Sequence, residues 1–197
     1  MNFVIFDTEY TTWQGAQNRR WQGVGEFKEI ISIGALKIQY PEFVVLEEFN
    51  VFIKPSVNPV LSEYCKCLTK ISQAQVDNGL DFFEGYKRFL KFSEGCLITS
   101  YGNDFCILAE NLILNHADPL CLYGKDSPSF LNLKHWISQT KKDILSYSSG
   151  ELWKNISVPP KFNHGVEHNA LNDCYSILEI LHFLYQQKYQ LPFVEDK

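Results

Sequence analysis

No run of apolar residues in this chain approaches the length needed to cross a bilayer. Nor does the N-terminus carry a basic region, an apolar stretch and a small-residue cleavage site, because Asp7 interrupts the apolar run almost at once. The expectation is a cytoplasmic, soluble protein with no membrane partner. No C-x-x-C pair occurs among Cys65, Cys67, Cys96, Cys106, Cys121 and Cys174, which read as reduced core or near-surface thiols rather than a zinc site or disulfide framework. Positive charge is not in excess either. A net charge of −5 excludes a protein that coats nucleic acid by bulk charge. It leaves room for an enzyme that grips a short nucleic-acid end where metal cations supply the charge. Internal repeats and low-complexity tracts are absent as well.

What is present suits one compact domain. The 197 residues are enough to bury a real core, and 45% hydrophobic residues with 15% aromatics exclude disorder. The pattern predicts strands over 2–9, 30–38 and 43–53, the last two joined as a hairpin by Tyr40-Pro41-Glu42. A long loop, 11–26, holds Trp13, Trp21, Arg19, Arg20 and three glycines. After a linker at 55–59 come short helical pieces through Asp77. Then follow a helix over 82–92 with Phe82, Phe83, Tyr86, Phe89 and Leu90 on one face, and a buried strand at 97–100. A helix over 104–115 turns Phe105, Leu108, Leu112 and Ile113 inward, a strand-to-helix region occupies 130–137, and a loop spans 158–165. A long amphipathic helix over 169–185 is built on Leu171, Cys174, Ile177, Leu178, Leu181 and Leu184. Residues 1–190 form the domain and 191–197 a short tail. The order gives a mixed α/β fold around one sheet.

The feature with chemical content is Asp7-Thr8-Glu9 at the end of the first apolar run. In a strand, Asp7 and Glu9 point to the face that Phe3 and Ile5 share. Two carboxylates against a hydrophobic sheet repel each other and lose solvation unless a divalent cation joins them. Alternatively, the strand ends at Phe6 and the three are solvated turn residues. Asp104 opens the helix after the buried strand. Asn103 as N-cap and the helix dipole explain it adequately, whereas Gly102 beside it would let a ligand approach closely. His168 and Asp173 cannot share a face of one continuous helix. They converge if His168 sits in the loop just before the helix and Asp173 in its first turns. A capping residue and a boundary Asp are the plainer reading.

Taken together, these pieces closely resemble the DEDDh family of 3′→5′ exonucleases. Asp7 and Glu9 match the first motif, Asp104 the second, and His168 with Asp173 the third; His164 does not qualify, because Asn169 stands five residues on. Leu68-Thr69-Lys70-Ile71-Ser72 resembles the family's L-T-x-I-[ST] segment, and residues 29–35 its second strand, so the likeness spans roughly residues 2–185. One departure is Ser100, where many members have Asn four residues before the second-motif Asp. The Ser-Tyr-Gly-Asn-Asp variant and the Trp-rich loop look more like stand-alone bacterial exonucleases and the histone-mRNA 3′-end exonuclease group than proofreading subunits.

The resemblance implies a ribonuclease H-like fold with a mainly five-stranded mixed sheet flanked by helices. It implies two Mg²⁺ or Mn²⁺ ions roughly 3.5–4 Å apart. Asp7 would bridge both, Glu9 and Asp173 complete the first, and Asp104 hold the second. His168 would act as general base, and single-stranded RNA or DNA 3′ ends would be the partner. Leu68 and Thr69 would lie against the terminal nucleotide, beside Thr8. Trp13, Trp21, Arg19 and Arg20 would stack on bases and pair with phosphates, or else pack the loop and face solvent. Lys134, His135, Lys141, Lys142 and Lys161 read as surface charges. The rival functions are a proofreading exonuclease, an oligoribonuclease and a catalytically inactive nucleic-acid-binding module. A homodimer is compatible with exposed aromatics.

Overall fold

The computed structural model describes residues 1–122, 129–141, 146–156, 159–163 and 165–193. Val158, His164, Lys142 and residues 194–197 of the expected tail lie outside them.

Strand β1 (Asn2–Tyr10) forms the middle of a five-stranded mixed sheet. It runs antiparallel to β2 (Ile30–Gln39), which pairs antiparallel with β3 (Val44–Phe52). On its other side β1 lies parallel to β4 (Leu97–Ser100), and β4 parallel to β5 (Phe130–Asn132). Asp7, Thr8 and Glu9 are thus strand residues, not a turn. The period of two sorts β1 onto both faces, as a sheet covered on each side requires. Phe3 and Ile5 join Leu36 and Ile38 in one core, while Val4 and Phe6 join Ile33, Ala35 and Ile98 in the other.

Among the described residues six α-helices surround the sheet: α1 (Glu63–Thr69), α2 (Gln73–Asp77), α3 (Phe82–Phe92), α4 (Asp104–Leu114), α5 (Leu133–Thr140) and α6 (Ala170–Gln186). The core containing Phe3 is closed by α6 through Cys174, Ile177, Leu178 and Leu181, and the core containing Val4 by α3 and α4. Burial of each such side chain contributes about 1.5–3 kcal/mol. Two helical phases differ from expectation. Phe83 on α3 is 37% exposed and Ile113 on α4 is 57% exposed, because Tyr86 with Phe89 and Ile107 with Leu108 already fill the inward stripes. Further along, Leu191 is buried and the Phe193 ring packs at a tilt against Phe3, with ring centres 4.8 Å apart.

Buried polar side chains fasten the connections. Glu29 accepts backbone N–H bonds from Ser56, Val57 and Asn58, which folds the 55–59 linker onto the start of β2. Asn111 on α4 accepts from the Ile30 N–H at 2.9 Å and donates to the Lys28 carbonyl at 2.8 Å.

One contact decides where α6 begins. Gly34 lies directly opposite Asp7 in the β1–β2 ladder, on the face that α6 covers. A Cβ there would stand 2.2 Å from the Leu171 backbone nitrogen and 2.4 Å from the Ala170 carbonyl carbon. The missing side chain lets the first turn of α6 touch the sheet itself. Gly34→Ala should therefore lift the helix start and cost roughly 1–3 kcal/mol, read as a lower urea midpoint. An unchanged midpoint would mean that α6 does not rest on Gly34.

Candidate active site

The parallel strands β1 and β4 end at a cleft of about 640 Å³. Its floor is Asp7 and Glu9 from β1, Asp104 from the start of α4 and Asp173 from the first turn of α6. Because Gly34 admits α6 onto the sheet, Asp173 arrives beside Asp7. Carboxylate oxygens of Asp7, Glu9 and Asp173 lie within 4.8 Å of one another. Asp104 stands beside this trio, held differently: its Oδ1 accepts the Thr8 N–H at 3.0 Å and the Thr8 hydroxyl at 2.8 Å. Asn103, expected as a capping side chain, makes no cap hydrogen bond, so helix capping does not account for this end of α4.

The electrostatics are unfavourable as they stand. Burial, followed by the charges of Asp104, Asp173 and Glu9, raises the Asp7 carboxyl well above its ordinary range. Glu9 is raised likewise by burial and then by Asp173 and Asp104. Burial lifts Asp173 to about 7 against the opposing Ser149 hydrogen bond, and Asp104 to about 6 against the two Thr8 bonds. Ser149, which opens a 3-10 segment (Ser149–Asn155), donates to Asp173 Oδ2 at 3.2 Å. Asp173 Oδ1 is buried with no hydrogen-bond partner among the described residues, and a Cβ on Gly150 would stand 2.4 Å from it. An orphaned carboxylate oxygen among hard oxygen donors fits a divalent cation of the magnesium, calcium or manganese type. Ser149 and Gly150 escaped the sequence reading; a small residue 23 positions from Asp173 carries no local signal of contact with it.

His168 sits in the loop immediately before α6 and lines the cleft, the geometry that its convergence with Asp173 requires. Its backbone is held at φ +57°, a conformation that costs a non-glycine residue about 1 kcal/mol or more. Several contacts fix the approach. Glu179 accepts the N–H groups of Lys161 and Phe162 at 2.9 Å each, Asn172 donates to the Val166 carbonyl at 2.9 Å, and Lys154 pairs with Glu167.

The walls answer the remaining expectations. Leu68 and Thr69, on α1, line the cleft together with Thr8 and Tyr64. The Ser62 hydroxyl fixes α1 by donating to the Thr12 carbonyl at 2.6 Å. Trp21 lines the cleft, edge-on to Tyr10, with its indole N–H donating to the Thr11 carbonyl at 3.2 Å. Trp13, Arg19 and Arg20 are not among the lining residues, and Arg19 is engaged with Glu26 and the Gln14 carbonyl. Lys134, read from sequence as a surface charge, lines the cleft instead, because α5 begins beside Gly102.

A mixed sheet with buried acidic residues at the carboxyl ends of its parallel strands, and a histidine at the rim, makes a cleft able to hold divalent cations. The exonuclease family model RNase_T matches residues 4–181. The chain is 27% identical over 193 residues to the probable 3′-5′ exonuclease KapD of Bacillus subtilis, covering 96% of this chain and 87% of that one. It is 34% identical over 100 residues to the 3′-5′ exonuclease eri1 of Schizosaccharomyces pombe, covering 49% of this chain but 32% of eri1. The solved nuclease domain of 3′hExo, a DEDDh family member bound to rAMP, superimposes with a TM-score of 0.78 at 20% identity, covering 100% of this chain and 97% of that one. The fold is therefore ribonuclease H-like, and the chain belongs to the exonuclease family, with 3′→5′ exonucleases among its relatives and an acidic trio that could hold a metal ion.

The acid cluster has a measurable consequence for the metal-free protein. Asp104 and Asp173 titrate near 6 and 7 when folded, against about 3.9 for an unfolded Asp. The native state thus holds more protons across that window, and stability falls as pH rises through it. In EDTA, the wild type should lose more stability than Asp173→Asn between about pH 5 and about pH 8. Equal losses would show that Asp173 does not share the repulsion.

Proposed function

We propose that this enzyme hydrolyses single-stranded nucleic acid, RNA in preference to DNA, from the 3′ end to nucleoside 5′-monophosphates. The observation that carries the reading is the trio Asp7, Glu9 and Asp173, with oxygens within 4.8 Å and one of them unpartnered. Asp7, Glu9 and Asp173 would hold one Mg²⁺ or Mn²⁺, and Asp104 with Asp7 a second. When bound, the two ions supply the positive charge that activates water and stabilises charge developing on the phosphate.

The remaining steps fall to the chain's own residues. His168 takes a proton from the attacking water at an imidazole nitrogen, a role to which an imidazole is suited. Leu68 and Thr69 on α1 form the wall against the terminal nucleotide, and Trp21 offers a fixed aromatic face for a base. Thr8 holds Asp104 so that its second oxygen remains available. The RNA preference rests on relatives such as ERI1 exoribonuclease 2 of Homo sapiens, 32% identical over 89 residues. A bound dA16 in Escherichia coli exonuclease I, which shares the fold at a TM-score of 0.67, favours DNA as the second reading.

Cleavage of 5′-labelled RNA and DNA oligonucleotides tests this directly. The expected result is a ladder shortening from the 3′ end, faster on RNA and abolished by EDTA. Intact 3′ ends in metal-supplied protein would overturn the proposal. Within the same assay, His168→Ala should lose about 100-fold or more in kcat while metal still raises its melting temperature. A variant at wild-type rate would remove His168 from the chemistry.

A further inference from the structure

Among the described residues two lysines line the cleft, and one of them, Lys28, meets a carboxylate. Lys28 lies 3.6 Å from Glu110 and 5.1 Å from the centre of the Trp21 ring. Lys134 has no carboxylate within 4.0 Å among the described residues; its ammonium rests over the Tyr101 ring at 5.1 Å. Its position is poor for the helix that bears it. Lys134 is the second residue of α5, where the dipole disfavours a cation, and Asn132 already caps that end through the Lys134 N–H at 2.9 Å. Nor is the placement loose. Asn132 accepts the Gly102 N–H at 3.2 Å and donates to the Gly102 carbonyl at 2.6 Å, locking the start of α5 to the turn that ends in Asp104. A cation set against its local preference, carried on an anchored helix start and without a carboxylate partner among the described residues, points to an anion brought by the substrate.

Resting on the exonuclease reading above, we propose that Lys134 binds the backbone phosphate one linkage 5′ to the scissile bond. The scissile phosphate belongs over Asp7, Glu9 and Asp173, whereas Lys134 lines the cleft from the start of α5, which is anchored at the Gly102 turn. A strand cleaved at its last linkage has no phosphate on the 3′ side. The neighbouring anion within reach of the α5 wall is therefore the next one upstream. A lysine there acts as a point charge that grips the strand without reading its bases.

The test pairs the variant Lys134→Gln with an oligonucleotide whose linkage 5′ to the scissile bond is a neutral methylphosphonate. On unmodified substrate, Lys134→Gln should raise KM about ten-fold and flatten the dependence of log kcat/KM on log salt by about one unit. Lys134→Arg should recover most of the loss. The methylphosphonate should cost the wild type about ten-fold in kcat/KM and cost Lys134→Gln far less, since the partner is already gone. An equal penalty in both proteins, or an unchanged KM for Lys134→Gln, would overturn the assignment. Failure of the wild type to shorten the unmodified strand would instead overturn the exonuclease reading beneath it.

Discussion

Repulsion among buried carboxylates at one end of β1 is the constraint around which this protein is arranged. Asp7, Glu9 and Asp173 occupy a space that ordinary packing would give to apolar groups, and Asp104 adjoins it. Each ionised neighbour makes the next ionisation harder. The protein offers limited relief of its own: the Ser149 hydroxyl to Asp173 and Asp7, the Asn169 backbone to Asp173 and a pair of Thr8 donors to Asp104. A fold that keeps such a cluster under-neutralised stores affinity for cations, because divalent charge satisfies several crowded oxygens at once.

The scaffold's less conspicuous features serve that crowding. Gly34 admits α6 to the sheet, and Gly150 leaves room for the Asp173 carboxylate. The His168 bend is tied back by Glu179, Asn172 and Lys154. The acidic floor comes from three chain segments that meet only in the folded state. The cleft walls come from four more: the first loop, α1, the start of α5 and the 3-10 segment before α6. A polyanionic substrate would then meet a site whose floor needs cations and whose wall already carries one.

Much of this was legible in the chain because it rests on short-range periodicity. Asp7 and Glu9 share the Phe3–Ile5 face by strand alternation alone, and the sheet kept that alternation through Tyr10. The spacing of His168 and Asp173 demanded a loop-then-helix junction, which α6 supplies. What escaped depends on contacts distant in sequence. A glycine within a strand run, such as Gly34, is compatible with a bulge, a bend or a close approach, and only the position of α6 selects the last. Lys134 looked like a solvated charge because nothing nearby in sequence announces that α5 begins beside Gly102. Phe83 and Ile113 were turned inward by reading apolar character, whereas neighbours one helical step away filled the cores. The loop 11–26 yielded one lining aromatic, Trp21, and spent Arg19 on its own Glu26.

The central claim is that the acid cluster exists to hold cations. Calorimetric titration of metal-free protein with Mn²⁺ tests it most directly, with wild type beside Asp7→Asn. The account predicts two ions bound per wild-type chain and loss of the tighter one when Asp7 is neutralised. No saturable binding by the wild type, or identical isotherms for the two proteins, would contradict it.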